Sequence, residues 1–200
     1  KATLAGRTLA ALKLSANGKA DPNAPQATLT ASGTLDGQVI DASGELLQGE
    51  TGTTVPALNV TVGRNVLTGK LQFTQQFLPT GTLTFDFPDL SLLAALAAQQ
   101  AKGDVKGDVA LSNSGGKIAA TIRASGSNIA QGTSSVSKFV ADLKIDDLLA
   151  LAANGKVTAE TINAGAVSIS GLDLDIDHSG TATTFDLNAR YDNAPLILKG

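Results

Sequence analysis

Leu172-Asp173-Leu174-Asp175-Ile176-Asp177 alternates an aliphatic residue with an acidic one at every position. Because successive side chains of a β-strand point to opposite faces of the sheet, this pattern predicts a strand with one apolar and one charged face. Val167 and Ile169 lie in the opposite phase, and the phase changes at Ser170-Gly171. A bulge or kink at that point would place the apolar residues of both halves of the strand on the same face of the sheet.

The same alternation recurs along the chain and predicts a mostly β protein. It occurs at residues 58–62 (LNVTV), 83–87 (LTFDF), 118–122 (IAATI), 139–145 (FVADLKI) and 185–191 (FDLNARY). Turn-forming pairs separate the runs at intervals of about ten residues. These pairs are Asn17-Gly18, Asp36-Gly37, Ser114-Gly115-Gly116, Asn154-Gly155 and Ser179-Gly180. Short turns between adjacent alternating runs imply antiparallel meanders.

Two segments break the alternation and predict short helices. Residues 89–101 (DLSLLAALAAQQA) and 146–153 (DDLLALAA) are rich in Leu and Ala, and each begins with Asp, a favourable N-cap. Each helix follows a strand, so the chain carries a weak internal repeat near 83–111 and 141–165. We therefore treat residues 1–200 as one continuous repetitive β segment. We expect it to be a piece of a larger protein, because both ends read as continuing β-structure.

Composition narrows the possible functions. Apolar residues make up 42% of the chain, but aromatic residues only 4%, and Cys, Met and Trp are absent. Lys and Arg number 15 against 18 Asp and Glu with no basic block, so we expect no nucleic-acid partner. The absence of Cys excludes disulfides and thiolate sites, and it fits a bacterial periplasmic or extracellular protein. No apolar run approaches the ~20 residues of a membrane-spanning helix.

We find no constellation that indicates catalysis. His178 is the only histidine and follows Asp173, Asp175 and Asp177. A metal site or a general base is one interpretation, and a solvated strand face that ends in a turn is the interpretation we favour. Calcium requires 6–8 oxygen ligands, and no second acidic cluster is visible. A single His without a G-x-S-x-G sequence gives no convincing triad. We predict no enzyme activity, no cofactor and no metal site.

The apolar face of such a sheet needs a cover, which could be a second sheet, the helices or a ligand. Leu, Val and Ile could fill a sandwich core, but the scarcity of aromatic residues leaves room for something else. An acyl chain suits an aliphatic wall, since each buried CH₂ contributes ~0.8 kcal/mol. The residues predicted to line such a lipid groove are Leu58, Val60, Val62, Leu71, Phe73, Leu83, Phe85, Phe87, Val105, Val109, Leu111, Ile118, Ile122, Phe139, Leu143, Ile145, Leu172, Leu174, Ile176, Phe185 and Leu187.

Three stretches carry a resemblance to a known family: Pro88–Leu96 (PDLSLLAAL), Gly103–Ser112 (GDVKGDVALS) and Gly126–Ile129 (GSNI). With them the chain resembles the TamB family, the large AsmA-like translocation and assembly module proteins of Gram-negative envelopes. Residues 142–163 and 171–190 continue the same pattern of strand, short helix and strand.

The resemblance implies an elongated, curled antiparallel sheet, a β-taco whose apolar concave face conducts phospholipid between the inner and outer membranes. It also implies a periplasmic location, an inner-membrane anchor outside this segment, and a part in outer-membrane biogenesis. Family members partner an outer-membrane assembly barrel, TamA, and the family has no catalytic motif.

Two other functions remain open from the sequence. The segment could be a chaperone-like scaffold that binds nascent outer-membrane strands by adding them to a sheet edge. It could also be a surface adhesin of the β-helical kind, because the Gly, Ala, Ser, Thr and Asn bias is similar.

Overall fold

The computed structural model describes residues 2–4, 6–19, 21, 25–150 and 152–200, which form one antiparallel sheet of fourteen strands and one short helix. Every strand pairs with its neighbours in sequence order. The strands are β1 (Ala2–Leu4), β2 (Arg7–Lys19), β3 (Gln26–Leu35), β4 (Gln38–Gly49), β5 (Gly52–Val62), β6 (Asn65–Thr74), β7 (Pro79–Phe87), β8 (Lys102–Ser114), β9 (Lys117–Gln131), β10 (Ser134–Asp147), β11 (Ala152–Ala164), β12 (Val167–Ser179), β13 (Ala182–Tyr191) and β14 (Ala194–Lys199). The helix α1 (Leu90–Leu96) follows β7.

The prediction of a mostly β antiparallel meander is confirmed. The sheet is neither closed nor strongly curled, and in this it differs from the curled sheet that we expected. Asp36-Gly37 and Gly115-Gly116 form tight turns as predicted. In contrast, Asn17-Gly18 and Asn154-Gly155 lie inside β2 and β11, where pairing with the neighbouring strands overrides their turn preference.

The predicted phase change in β12 is confirmed as a bulge. The pairing register of β12 with β13 shifts between Ser170 and Asp173, and Gly171 has φ = +60°. A second bulge of this kind lies in β2, where Ala11 has φ = +53° and the register with β3 shifts between Ala10 and Lys13. Because a bulge inserts one residue, it reverses the phase of the alternation without turning the strand over.

The first predicted helix is confirmed, but it is shorter than the sequence indicated. Oδ1 of Asp89 accepts a hydrogen bond of 3.0 Å from the backbone N–H of Ser91, so Asp89 is the N-cap. Leu92 and Ala95 are buried against Leu35, Ile40 and Val62 of the sheet. From residue 96 to residue 100 the side chains are exposed, and Ala98 has φ = +55°, so the helix ends where its buried face ends.

The second predicted helix, at residues 146–153, is wrong. Strand β10 runs to Asp147, residues 148–150 form a turn, and β11 begins at Ala152. The carboxylate of Asp147 does accept hydrogen bonds from the backbone N–H groups of Leu149 and Ala150, at 3.0 and 3.3 Å. However, Leu149 is 87% exposed, so its side chain contributes no burial that would extend this single turn into a helix.

A buried polar contact fixes α1 on the sheet. Asn65 is only 1% exposed, and its Nδ2 donates hydrogen bonds to the carbonyl oxygens of Val62 (3.0 Å) and Asp89 (2.9 Å). Its Oδ1 accepts the backbone N–H of Asp89 at 2.9 Å. On the outer side, Arg7 donates to Ser91 Oγ at 2.7 Å and pairs with Asp36 at 3.1 Å. These contacts link the start of the helix to β2, to the β3–β4 turn and to the β5–β6 turn.

We expect Asn65→Ala to lower the free energy of unfolding by about 1–3 kcal/mol, because the backbone groups of Asp89 lose buried partners. Asn59→Ala is the matched control, since Asn59 is exposed on the sheet and its replacement should change stability by less than about 0.5 kcal/mol. Urea denaturation followed by circular dichroism measures both. Equal, small effects of the two substitutions would show that Asn65 does not anchor the helix.

Candidate functional site

The strand register gives the sheet two chemically different faces. Residues that pair across antiparallel strands share a face, so each series of cross-strand partners can be followed from strand to strand. One such series, the central apolar row, crosses β2 to β14 without a polar side chain. Its members are Leu14, Ala31, Ala42, Val60, Leu67, Phe85, Gly107, Ala124, Ala141, Val157, Leu174, Leu187 and Leu198.

A second apolar row lies beside the first on the same face, and it also contains only aliphatic residues, glycines and one Phe. It comprises Ala16, Leu29, Gly44, Leu58, Gly69, Leu83, Val109, Ile122, Leu143, Gly155, Ile176 and Phe185. We call the face that carries both rows the apolar face. At about 4.8 Å per strand, the rows extend for roughly 60 Å.

All of the residues predicted to line a groove lie on the apolar face. They belong to the two rows, or they occupy the same-phase positions beside them on β5 to β13. Val62 is buried under α1, Phe185 is exposed, and the others are half-buried. The prediction missed the extension of this face over β2–β4 and β14, where Leu14, Leu29 and Leu198 continue it. The bulge at Ala11 hid the alternation of β2.

The apolar face is largely uncovered. Its fully buried aliphatic cluster, Leu35, Ile40, Val62, Leu92 and Ala95, lies where α1 packs over β3–β5. The accessible surface of the chain is 11922 Å². A compact protein of the same 20.1 kDa would expose about 8700 Å². The excess is what a single-layer sheet retains when no second layer packs on it.

Glycines on the apolar face allow the large side chains to lie flat. A Cβ atom at Gly107 would lie 2.9 Å from Cζ of Phe85, and one at Gly126 would lie 2.6 Å from Cε1 of Phe139. These two rings therefore lie over neighbouring strands instead of standing away from the sheet. Phe85 also stacks on Phe87, with the ring centroids 5.3 Å apart. The resulting surface is smooth and aliphatic, with few protruding groups.

The opposite face, which we call the polar face, carries a row that is polar at every strand. It runs through Ser15, Thr30, Ser43, Asn59, Thr68, Thr84, Asp108, Arg123, Asp142, Lys156, Asp175, Asp186 and Lys199. From β2 to β7 the row is uncharged, and from β8 to β14 it is charged with both signs.

Ion pairs join neighbouring strands in the charged half. Arg123 contacts Asp142 at 3.4 Å, and Lys199 contacts Asp186 at 2.7 Å. Lys156 lies 2.7 Å from Asp173 and 3.5 Å from Asp175. The hydrogen bond to Asp173, aided by the charges of both carboxylates, raises the pKa of Lys156 above its ordinary value. The side chains of these groups keep at least 40% of their surface exposed, so they hydrate this face rather than stabilise the fold strongly.

His178 lies near the end of β12, opposite Thr183 of β13. Its Nδ1 is 2.8 Å from Oγ1 of Thr183, and its backbone N–H donates to Oδ1 of Asn154 at 2.8 Å. Among the residues that the structure describes, no group of three or more His, Asp or Glu side chains is placed to hold a metal ion. The contacts of His178 are therefore those of a residue at the end of a strand, made with the two neighbouring strands.

Comparison with known protein families, with curated proteins and with solved structures finds no match to this chain. The helix that the structure describes is seven residues long, and within the described residues none is long and apolar enough to cross a bilayer.

Proposed function

We propose that this chain is a periplasmic segment of a TamB-like protein and that its apolar face binds phospholipid acyl chains on their way between the inner and outer membranes. The proposal rests on the resemblance at residues 88–96, 103–112 and 126–129 and on the chemistry of the apolar face. In this view the segment supports outer-membrane biogenesis, and the anchor and the contact with an outer-membrane assembly barrel lie elsewhere in the full protein.

The observation that supports the proposal most directly is the continuity of the two apolar rows. The central row runs from β2 to β14 and the second row from β2 to β13, and neither is interrupted by a polar side chain. A monomeric soluble protein rarely leaves a contiguous apolar patch of more than a few hundred Å² exposed, unless the patch binds a partner or a ligand. Hydrocarbon is a suitable partner because it requires no hydrogen bonds from the wall.

The energetics favour binding without fixed recognition. Each CH₂ group transferred from water to the face contributes about 0.8 kcal/mol, so ten such groups contribute roughly 8 kcal/mol before the cost of ordering the chain. Because successive strands present similar aliphatic side chains, an acyl chain displaced by one strand meets an equivalent surface. The face can therefore hold a chain and let it move along the rows.

Leu111→Asp should abolish lipid binding at the centre of the sheet, since a carboxylate on the apolar face makes contact with hydrocarbon costly. The chain is expressed in a bacterial envelope, washed free of detergent and extracted with organic solvent, and phospholipid is counted by mass spectrometry. We expect near-stoichiometric phospholipid with the parent chain and a reproducible reduction with the variant, because the carboxylate interrupts the centre of the face and leaves its two ends unchanged.

Ala110→Asp is the matched control. Ala110 precedes Leu111 in β8 and pairs with Thr82 and Thr121 on the polar face, where it is exposed. The control carries the same new charge on the same strand, and it should retain the phospholipid. If neither the parent chain nor the control carries phospholipid, acyl binding by the apolar face is wrong.

Strand addition is a second candidate, favoured by the backbone donors of β14 that face away from β13. The backbones of Phe185 and Gly200 form a reciprocal hydrogen-bonded pair, so by the antiparallel pattern the N–H groups of Ile197 and Lys199 point away from β13. Position 195 also points outward, and there the chain has a proline, which has no N–H. A scaffold for nascent outer-membrane strands would use the remaining outward donors.

Ile197→Pro separates the two functions. It removes an outward N–H and a side chain of the polar face, and it leaves the apolar face unchanged. If the chain works through acyl binding, the variant should copurify with as much phospholipid as the parent chain does. Its capture of an unfolded outer-membrane β-strand peptide should also equal that of the parent chain. A clear loss of peptide capture with lipid retained would favour the scaffold.

A further inference from the structure

Helix α1 covers a part of the sheet that has the same chemistry as the uncovered apolar face. The buried cluster beneath it contains Leu35, Ile40 and Val62, which occupy apolar-face positions at the turn ends of β3, β4 and β5. Val60 of the central apolar row packs against this cluster. The covered patch is therefore continuous with the central apolar row, and α1 lies on surface that would otherwise extend the apolar face.

The apolar contact between α1 and this patch depends on two side chains. Leu92 and Ala95 are 4% and 1% exposed, whereas Leu96 is 38% exposed. Leu92 lies close over the β5–β6 turn, where a Cβ atom at Gly63 would be 2.6 Å from its Cδ1. The helix is seven residues long, and a helix of this length is not stable in water without tertiary packing. It therefore depends on Leu92 and Ala95 staying docked.

The polar attachments of α1 to the sheet lie at its N-terminal end. The carbonyl oxygen and the N–H group of Asp89 are both hydrogen-bonded to the side chain of Asn65, at 2.9 Å each. One turn further, Ser91 Oγ accepts a hydrogen bond of 2.7 Å from Arg7. These contacts hold the start of the helix independently of the buried side chains of Leu92 and Ala95.

The C-terminal end of α1 is attached more weakly. The side chains of residues 96–100 are exposed, and the backbone N–H groups of residues 97–99 donate to carbonyl oxygens of the helix itself. A side-chain hydrogen bond of 3.5 Å between Gln131 and Gln99 is exposed to solvent. Segments that open locally in a folded protein are those with few buried contacts. The contact at Asp89 is thus a joint about which the rest of the helix can swing.

An acyl chain can replace what α1 gives up when it swings away. Undocking exposes the side chains of Leu92 and Ala95 and the patch beneath them. Burial of apolar carbon is favourable per unit area whether the carbon belongs to a side chain or to a lipid, so about five methylene groups laid on the patch offset the loss of these two side chains. Because the patch adjoins the central apolar row, the rest of the acyl chain stays on the apolar face.

On the basis of the proposed acyl binding, we infer that α1 is a displaceable cover of the apolar face. The helix swings about the contact between Asn65 and Asp89, and an acyl chain takes the place of Leu92 and Ala95. The cover keeps the patch out of water while no lipid is present and admits a chain that arrives along the central apolar row.

Single cysteines test the cover, because the chain contains no cysteine of its own. Ala95→Cys places a thiol under α1. Ala120→Cys is the matched control: Ala120 is 4% exposed, pairs with Leu111 on the apolar face and lies outside the cluster under the helix. Ala124→Cys, at a half-buried position of the central apolar row, reports acyl binding itself. Each thiol is labelled with N-ethylmaleimide, with and without dioleoylphosphatidylcholine vesicles, and the labelling rate is measured by mass spectrometry.

We expect the vesicles to raise the labelling rate of Ala95→Cys at least about tenfold, since a minor open state of up to roughly 10% becomes the major one. The rate should fall for Ala124→Cys and should not rise for Ala120→Cys. A lower rate for Ala124→Cys without a rise for Ala95→Cys would overturn the cover and leave acyl binding standing. No change at any of the three positions would overturn both, and an equal rise for Ala95→Cys and Ala120→Cys would show that the sheet opens as a whole and would overturn the cover.

Hydrogen exchange of the unsubstituted chain, followed by NMR, provides a second test that does not depend on a cysteine under the helix. The N–H groups of Ala98 and Gln99 donate within the helical segment at 3.0 and 2.8 Å, and they should exchange faster when vesicles are added. The N–H group of Gly63 donates to Val39 within the sheet at 2.7 Å and should keep its rate. Unchanged exchange at Ala98 and Gln99, with lipid bound, would contradict the displacement of α1.

Discussion

Cross-strand register is the constraint on which this structure depends. Each strand alternates, but the two faces stay chemically distinct only if every strand keeps the phase of its neighbour, because a slip of one residue would exchange the faces. The chain maintains this phase across thirteen strand-to-strand pairings, using bulges where the sequence changes phase, as at Ala11 and Gly171. The apolar rows and the charged ladder both result from this register.

A single-layer sheet of this kind buries its apolar side chains in an unusual way. Lateral contact between side chains on the same face leaves most of the apolar residues half-buried, and among the described residues α1 is the element that packs over the sheet. The polar face is the hydrated one, with charges of both signs along β8 to β14. The division into a polar and an apolar face also underlies the proposed function, because the face that the fold leaves uncovered is the one that can bind hydrocarbon.

Much of the fold follows from the sequence, and the exceptions have physical causes. The alternation in β12 predicted a two-faced strand and the bulge at Gly171, since local sequence decides both. The Asp89 cap predicted α1, whereas Asp147 caps a turn whose Leu149 stays exposed, and a cap alone does not sustain a helix. The length of the apolar rows could not be predicted, because it depends on register between strands that the turns and bulges determine together.

The central claim is that acyl chains contact the apolar face and leave the polar face in water. Both faces carry aliphatic residues, and Val39, Val66, Val140 and Ile197 lie among the polar residues, where they are exposed. Methyl NMR with phospholipid spin-labelled near the end of one acyl chain compares the two faces within one molecule. We predict that the methyl signals of Leu83, Val109 and Leu143 broaden, while those of Val39, Val66, Val140 and Ile197 stay sharp. Equal broadening on both faces, or none on either, would contradict the claim.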